Sequence, residues 1–378
     1  MGNVKIEEVN LNQVSLDQYS PENMINSVVF KGDGEPRSAD NTLKYLSEIA
    51  TQGVVDQDYY SLGGAVNTLE EKFAEKLATE SAIFMPTGTL ANHLAVRKHC
   101  GLNSRVIVQE QGHIYNDTGD SISRLSSINL IPLGKDVPFY GLTDLKEQIN
   151  RSSGGRVSVN IGAVVIESPV RRKYGQIMPY EEMEEITVYC KEVGIPTHLD
   201  GARLYMMAAA TGINPKSYVE LFDSVYVSLY KYFGAPYGAI LAGKAEFIDG
   251  LYEDRRMFGG GLMSSYVAAA LALRGIGLFE KDFNQAMAKS KALFKQLNNL
   301  DGVSVKEFEN GSNIFHLEMS DCVDLDEFIT CMRNDKIFLY RDDMNPKAIF
   351  ITVNTTLLRQ TNMDIHKAFE KALIHSKT

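Results

Sequence analysis

The sequence predicts an α/β fold, in which a mainly parallel sheet with helices on both faces is followed by a smaller α+β domain. Short apolar runs alternate with helix-like stretches up to about residue 230, which is typical of a parallel sheet covered on both sides. After about residue 265 the pattern changes to a long helix and shorter strand-like segments. The length of 378 residues suits about two domains. We predict an N-terminal arm (1–40), a large domain (41–262) and a small C-terminal domain (263–378).

The individual elements follow from the spacing of apolar residues. In the large domain we predict helices over 67–80, 90–99 and 180–193, and strands over 82–85, 105–108, 161–166, 195–199 and 224–229. In the C-terminal part we predict a long helix over 265–297 with a bend near Gly275–Gly277. It is followed by strand-like segments over 303–308, 313–319, 337–341 and 349–353 and by helices over 325–333 and 364–376.

Composition narrows the class of protein. The formal net charge of −10 argues against nucleic acid or an anionic membrane as the main partner. The four cysteines form no CxxC pair, so we expect neither a zinc site nor a disulfide framework, and no metal. The apolar runs are too short to span a bilayer, and the N-terminus lacks an apolar signal core. We therefore expect a cytoplasmic protein.

A first candidate site is the turn of sequence PTGTLAN, where an apolar run passes into a helix. Gly88 and Thr89 would be the first residues of that helix, with free backbone N–H groups. A helix N-terminus of this kind is suited to binding phosphate. The Thr89 hydroxyl could add a donor. The alternative interpretation is an ordinary capped helix without a ligand.

A second candidate is Asp200, at the end of the predicted strand in HLDGAR. The carboxyl edge of a parallel sheet is where such folds bind ligands. A carboxylate there could keep the pyridine nitrogen of pyridoxal phosphate (PLP) protonated and so make the ring an electron sink. Alternatively, Asp200 caps a helix and Arg203 is its exposed salt-bridge partner.

The third candidate is Lys231, which follows an apolar strand in SVYVSLYKYFGAP. A lysine at a strand end is usually a solvated surface charge. Here aromatic neighbours favour the neutral, nucleophilic amine. Asp200 and Lys231 are separated by one strand–helix–strand step, so both can reach the same sheet edge. The three patterns together indicate a PLP enzyme more specifically than any one of them.

Four segments, PTGTLANHLA, HLDGARLYMMAAATG, DSVYVSLYKYFGAPYGAILAG and RRMFGGG, closely resemble the threonine aldolase and aromatic amino acid β-eliminating lyase family. The resemblance covers roughly residues 30–375. It implies the PLP-dependent transferase-like fold (fold type I), with a seven-stranded type of sheet. It also implies PLP as the cofactor and a homodimer or homotetramer.

The resemblance assigns roles to residues in matching positions. Lys231 matches the Schiff-base lysine, Asp200 the partner of the pyridine nitrogen, and His113 the histidine that stacks on the ring. The alternative for His113 is a loop or core histidine. The resemblance implies catalytic roles for Lys231, His113 and Asp200. The cofactor-binding candidates are Gly88, Thr89, His113, Glu167, Asp200, Arg203, Ser228 and Lys231.

The sequence departs from the family pattern where the substrate binds. The N-terminal Arg-Ser-Asp-Thr segment of the family reads KGDG at residues 31–34, and Ile349 stands where the family has a carboxylate-binding arginine. The family's Gly-Gly-Gly-Met-Arg-Gln reads GGGLMS at 259–264, and its strand-end asparagine is Ser168. Since arginine is the usual partner of a substrate carboxylate, this half of the site is remodelled.

Two explanations for the missing arginine remain open. One is that another arginine replaces it, and the candidates, each alternatively a surface residue, are Arg171, Arg172 and Arg341. Otherwise the substrate is larger or aromatic, which would suit four tyrosines that could equally be packing residues: Tyr59, Tyr60, Tyr230 and Tyr232.

The sequence hypothesis is a PLP-dependent lyase acting on an amino acid, by aldolase-like carbon–carbon cleavage or by β-elimination. The alternative is a PLP-binding homologue with a structural or regulatory role. A nicotinamide-dependent enzyme is disfavoured, because no GxGxxG follows an early strand.

Overall fold

The computed structural model describes residues 24, 26–36, 38–53, 55–342, 345–346 and 348–377. Its strands in chain order are β1 (Val28–Val29), β2 (Ser81–Met85), β3 (Arg105–Gln109), β4 (Asn129–Leu133), β5 (Ile161–Glu167), β6 (Thr197–Asp200), β7 (Ser224–Ser228), β8 (Ala239–Gly243), β9 (Val303–Glu307), β10 (Ile314–Met319), β11 (Ile337–Phe338) and β12 (Ile349–Thr352).

The helices surround these strands. In chain order they are α1 (Ala39–Thr51), α2 (Gly64–Leu77), α3 (Gly88–Cys100), α4 (His113–Asn116), α5 (Ser121–Ser126), α6 (Leu142–Ser153), α7 (Tyr180–Glu192), α8 (Leu204–Thr211), α9 (Pro215–Glu220), α10 (Ala245–Ile248), α11 (Leu251–Met257), α12 (Tyr266–Leu297), α13 (Leu325–Asn334) and α14 (Asn362–His375). Within the described ranges, no helix is long and apolar enough to cross a bilayer.

The main sheet has seven strands in the order β2-β8-β7-β6-β5-β3-β4. Its strands run parallel except β8, which is antiparallel to both β2 and β7. Strands β5 to β8 are buried along their whole length, as expected for a sheet covered on both faces. The predicted mainly parallel, seven-stranded type of sheet is confirmed.

Strands β4 and β8 were absent from the sequence prediction. Strand β4 lies at the sheet edge, is only partly buried and contains Pro132, so its apolar signal is weak. Strand β8 returns after a short glycine-containing turn and pairs with β7 as a hairpin. The alternation of strands and helices on which the prediction was based therefore does not hold between β7 and β8.

The C-terminal part is an α+β arrangement, as predicted. A three-stranded antiparallel sheet has the order β12-β10-β9, and β11 forms a separate parallel pair with β1 from the N-terminal region. Only 337–338 of the predicted segment 337–341 is strand. The three-part domain division at 40/41 and 262/263 stays a prediction.

The β1–β11 pair places the segment after β1 against the C-terminal sheet. The amide of Asn354 donates to the carbonyl oxygens of Val29 and Gly32, at 2.9 and 3.1 Å. The backbone N–H of Thr352 donates to the Phe30 carbonyl at 3.1 Å. These hydrogen bonds therefore fix the segment 28–34 against the C-terminal sheet.

Helix α12 is one continuous helix of 32 residues through Gly275 and Gly277, where a bend was predicted. Gly275 has a packing role, because a Cβ atom there would lie 1.9 Å from the carbonyl oxygen of Phe233. A Cβ atom on Gly277 would meet nothing within 4 Å. The helix thus crosses the turn that follows β7 at a distance that only glycine permits.

We expect Gly275→Ala to lower the free energy of unfolding by about 3 kcal/mol, because the backbone of the 229–235 turn must move. The matched control Gly277→Ala should raise it by about 0.5–1 kcal/mol, because alanine is the better helix former. Urea unfolding followed by circular dichroism measures both changes. Equal effects of the two substitutions would contradict the close crossing.

Candidate active site

Three strand ends lie side by side at the carboxyl edge of the main sheet. In the β5–β6 and β6–β7 ladders, Glu167 is the register partner of Asp200, and Asp200 is the partner of Tyr226. Strand β7 ends at Ser228, and Lys231 follows in the next turn. Asp200 is the last residue of β6 and Lys231 follows the neighbouring strand β7, so the two residues lie at the same edge of the sheet, as predicted.

Lys231 lies in an environment that favours the neutral amine. Burial, and then the positive charge of Arg203, lower the pKa of Lys231 to about 8, against the opposing influence of Asp200. The ammonium nitrogen lies 5.5 Å from the ring centre of Tyr230 and 6.0 Å from that of Tyr226. A lysine with this pKa has a substantial neutral fraction near pH 8 and can act as a nucleophile.

Asp200 is almost completely buried and is held by two hydrogen bonds. Its Oδ2 accepts from Nδ2 of Asn92 at 2.7 Å, and its Oδ1 accepts from the Ala202 backbone N–H at 3.2 Å. The alternative of Asp200 as a helix cap paired with Arg203 is wrong, because α8 begins after Arg203 without a side-chain cap and Arg203 pairs with Asp33. Asn92 was not singled out as a site residue, although it belongs to the PTGTLAN segment.

Glu167 connects β5 to the loop that carries His113. Its two carboxylate oxygens accept the backbone N–H groups of His113 at 2.5 Å and of Arg171 at 3.1 Å. Burial, and next the negative charge of Asp200, raise the pKa of Glu167 to about 7. The imidazole of His113 is partly exposed, with Nδ1 3.5 Å from a carboxylate oxygen of Asp117. Glu167 thus positions the start of helix α4 and with it His113.

Arg203 forms a two-point ion pair with Asp33. Nε and Nη2 of Arg203 lie 2.9 and 2.8 Å from the two carboxylate oxygens of Asp33, and both side chains are largely buried. A Cβ atom on Gly34 would lie 2.8 Å from the Lys231 carbonyl oxygen. The KGDG segment therefore borders the lysine turn. The role of Asp33 was not predicted, although the segment had been compared with the family pattern.

A candidate phosphate site lies where helix α3 begins. The Thr87 side chain caps the helix by accepting the Leu90 N–H at 3.1 Å, and Gly88 and Thr89 are its first residues. Gly88 packs against Tyr226, since a Cβ atom there would lie 2.0 Å from the tyrosine oxygen. The Ser228 hydroxyl is buried beside Tyr226 without a hydrogen bond of normal geometry to a described residue.

These residues fit PLP. A helix N-terminus and the unsatisfied hydroxyl of Ser228 suit a phosphate, a fixed carboxylate suits a pyridine nitrogen, and a lysine of lowered pKa suits an aldehyde. At each of these four positions, the chemical type of the protein group matches a part of PLP.

Comparison with known proteins places this constellation in a family. The family model described as "Beta-eliminating lyase" matches residues 39–320, about three quarters of the chain. The chain belongs to the beta-eliminating lyase family. The predicted family, and with it the prediction of an enzyme of the lyase class, is confirmed.

Several relatives in this group are named threonine aldolases. Low-specificity L-threonine aldolase 1 of Arabidopsis thaliana is 26% identical over 79% of this chain and 83% of its own length. The low specificity L-threonine aldolase of Saccharomyces cerevisiae is 28% identical over 67% of this chain and 64% of its own length.

Solved structures agree on the fold. A Listeria monocytogenes protein, whose assignment as an L-allo-threonine aldolase is provisional, superimposes with a TM-score of 0.76 at 26% identity. That superposition covers 93% of this chain and 98% of the other. An ornithine aminotransferase of Toxoplasma gondii shares the fold, with a TM-score of 0.61 at 12% identity. The predicted PLP-dependent transferase-like fold type I is confirmed.

The departures from the lyase family pattern have structural counterparts. The Ser168 hydroxyl accepts the Met178 backbone N–H at 3.2 Å, so it serves the backbone beyond β5. Ile349 is buried in β12, paired with Leu317 of β10. Neither side chain is a cation, and in this chain both stabilise the protein scaffold.

Two of the three candidate arginines already have acidic partners. Arg341 binds Asp326 at 2.8 Å, and Arg172 binds Asp117 at 3.1 Å. Arg171 is exposed, and its backbone N–H is bonded to the same Glu167 carboxylate as that of His113. Arg171 is therefore the candidate that the geometry leaves for a substrate carboxylate.

The suggestion that Tyr232 could face an aromatic substrate is wrong. Its ring is buried and packs against Phe279 and Phe233, with ring centres 4.7 and 4.6 Å apart. Tyr59 and Tyr60 lie in the loop before α2, and Arg256 stacks on Tyr60 at 4.2 Å. Of the four tyrosines, Tyr230 is the one whose ring lies near the Lys231 amine.

Proposed function

We propose that this chain is a PLP-dependent lyase that cleaves the carbon–carbon bond between Cα and Cβ of a β-hydroxy amino acid. The observation that carries the proposal is the buried Asp200 next to a Lys231 whose pKa is lowered to about 8. The names of the relatives, which include low-specificity and L-allo-threonine aldolases, support this substrate class.

In this proposal different residues would bind different parts of the cofactor. The first turn of α3, at Gly88 and Thr89, and the Ser228 hydroxyl would bind the phosphate. Lys231 would hold the aldehyde carbon and Asp200 the pyridine nitrogen. When bound, PLP supplies an electron sink for the pair of electrons released at Cα.

Other residues would position the substrate and move protons. Asp117 favours a proton on Nδ1 of His113, which leaves Nε2 as the basic nitrogen that can accept a proton. In an aldol cleavage the proton to be removed is that of the β-hydroxyl group. Arg203 is neutralised by Asp33, so its charge attracts a substrate carboxylate less than an unpaired arginine would.

The test uses the full-length protein with added PLP. A visible absorbance band should form, and mixing with L-threonine or L-allo-threonine should release glycine and acetaldehyde in equal amounts. Release of a keto acid and ammonia instead would indicate β-elimination. A band without product from any amino acid would favour a PLP-binding protein with a structural or regulatory role. The absence of any band would overturn the proposal.

The predicted homodimer or homotetramer belongs to the same proposal. Four exposed apolar side chains, which would suit contact with a second copy, are those of Tyr59, Leu62, Met257 and Met263. The loop with Tyr59 and Leu62 meets the loop with Met263 where the Tyr60 N–H donates to the Met263 carbonyl at 2.9 Å, and Met257 ends helix α11. The molar mass of the protein in solution measures its oligomeric state. The cytoplasmic location stays a prediction.

A further inference from the structure

A chain of buried polar side chains leads from Asp200 away from the candidate cofactor site. Beyond Asn92, the asparagine Oδ1 lies 3.0 Å from Nε2 of His198, and Nδ1 of His198 lies 2.8 Å from the Ser224 hydroxyl. That hydroxyl lies 2.7 Å from Nε2 of His99. Asn92, His198 and Ser224 are each at most 2% exposed. Polar groups so deeply buried are costly unless their partners are fixed.

The directions of these hydrogen bonds follow from the orientation of the Asn92 amide. Its NH₂ group donates to Asp200, so its oxygen, which can only accept, faces His198. His198 then donates from Nε2 and, being neutral, accepts at Nδ1 from the Ser224 hydroxyl. The Ser224 oxygen in turn accepts from His99.

Both histidines are kept neutral, as this arrangement requires. Burial lowers the pKa of His198 to about 3 and that of His99 to about 4. The ring of His99 also stacks on Phe247, with ring centres 4.4 Å apart. All four hydrogen bonds therefore point their donors toward Asp200, and each polarises the next.

Helix α3 links this chain to the candidate phosphate site. Asn92 lies four residues after Gly88, one turn into the helix that begins at the phosphate-binding turn. The same rigid element would thus bind the phosphate at its first turn and position the Asp200 carboxylate from its second. One helix would thus fix the position of both the phosphate and the pyridine nitrogen of the cofactor.

We propose that Asn92, His198, Ser224 and His99 form a positioning chain that fixes the Asp200 carboxylate in the orientation in which it would face the pyridine nitrogen of the cofactor. This inference depends on the proposed PLP site. The four residues would act through Asp200, to which their hydrogen bonds lead, and we class them as positioning residues. The chain thereby extends the cofactor machinery to side chains behind the sheet edge.

The test measures PLP affinity, the pH dependence of the visible band, and kcat in variants of full-length protein. Asn92→Leu should weaken PLP binding by about tenfold or more, because a charge-assisted hydrogen bond is lost. Asn92→Asp, which is nearly isosteric, should weaken it further and make the band sensitive to pH, because it places a second carboxylate against Asp200. His198→Phe should cause a smaller loss of affinity.

The matched control is His93→Phe. His93 is the next residue of α3, is equally buried and bonds the Ser126 hydroxyl at 2.7 Å, away from Asp200. It should change PLP affinity by less than about twofold. The positioning chain would be overturned if Asn92→Asp kept the wild-type PLP affinity, kcat and pH profile of the band. This variant provides the test if Asn92→Leu does not fold. Failure of wild-type protein to form a band would instead overturn the proposed function.

Discussion

Replacing Lys231 with alanine is expected to remove the visible band formed with PLP and to lower kcat by about four orders of magnitude or more. The substitution removes the amine that would hold the cofactor aldehyde. It also removes a group whose lowered pKa, about 8, makes it both nucleophile and proton carrier. Absorbance spectra measure the band, and steady-state assays with saturating substrate measure kcat.

The pH dependence of band formation gives an independent check on Lys231. The neutral amine is the reactive form, and its fraction rises with pH through the pKa of about 8. The rate at which added PLP forms the band should therefore rise between about pH 7 and 9 and then level off. A lysine with its ordinary pKa near 10.4 would still be gaining reactivity at the upper end of this range.

Lys244→Ala is the matched control. Lys244 follows a buried strand, β8, as Lys231 follows β7, but it is exposed. Because β8 is antiparallel to β7, Lys244 lies at the other edge of the sheet. Its substitution should leave the band and kcat at wild-type values. A Lys231→Ala protein that still forms the band, or that keeps its activity, would show that another group holds the cofactor.

The placement of the candidate cofactor-binding residues was predictable because its signals are local. Asp200 and Lys231 each follow an apolar strand, and the ends of neighbouring parallel strands must meet at one edge. Gly88 and Thr89 stand at a strand-to-helix transition, which the sequence also marks. Strand order was not needed to place these groups together.

The partners of those residues were not predictable, because they come from distant parts of the chain. The bond from Asn92 to Asp200 spans 108 positions, and the pair of Arg203 with Asp33 spans 170. A single sequence carries no sign of which polar groups will pair at such separations. The choice between packing and substrate contact for Tyr232 stayed open for a related reason, because a turn residue beside a long helix can be buried by that helix.

Replacing Asp33 with alanine is expected to lower the free energy of unfolding by about 3–5 kcal/mol, because it leaves the Arg203 guanidinium buried and unpaired. Arg203 and Asp33 are only 11% and 14% exposed, so water cannot replace the lost carboxylate effectively. Urea unfolding measures the loss. The variant should also lower the pKa of Lys231 further, since Asp33 opposes the influence of Arg203 on that amine.

The control is Asp326→Ala, which breaks an ion pair of the same length. Arg341 lies 2.8 Å from Asp326, but the aspartate is 84% exposed, and exposed pairs contribute little because water screens them. The two substitutions should therefore differ severalfold in their effect on unfolding. If they destabilised the protein equally, the Arg203–Asp33 pair would be no more than a surface contact.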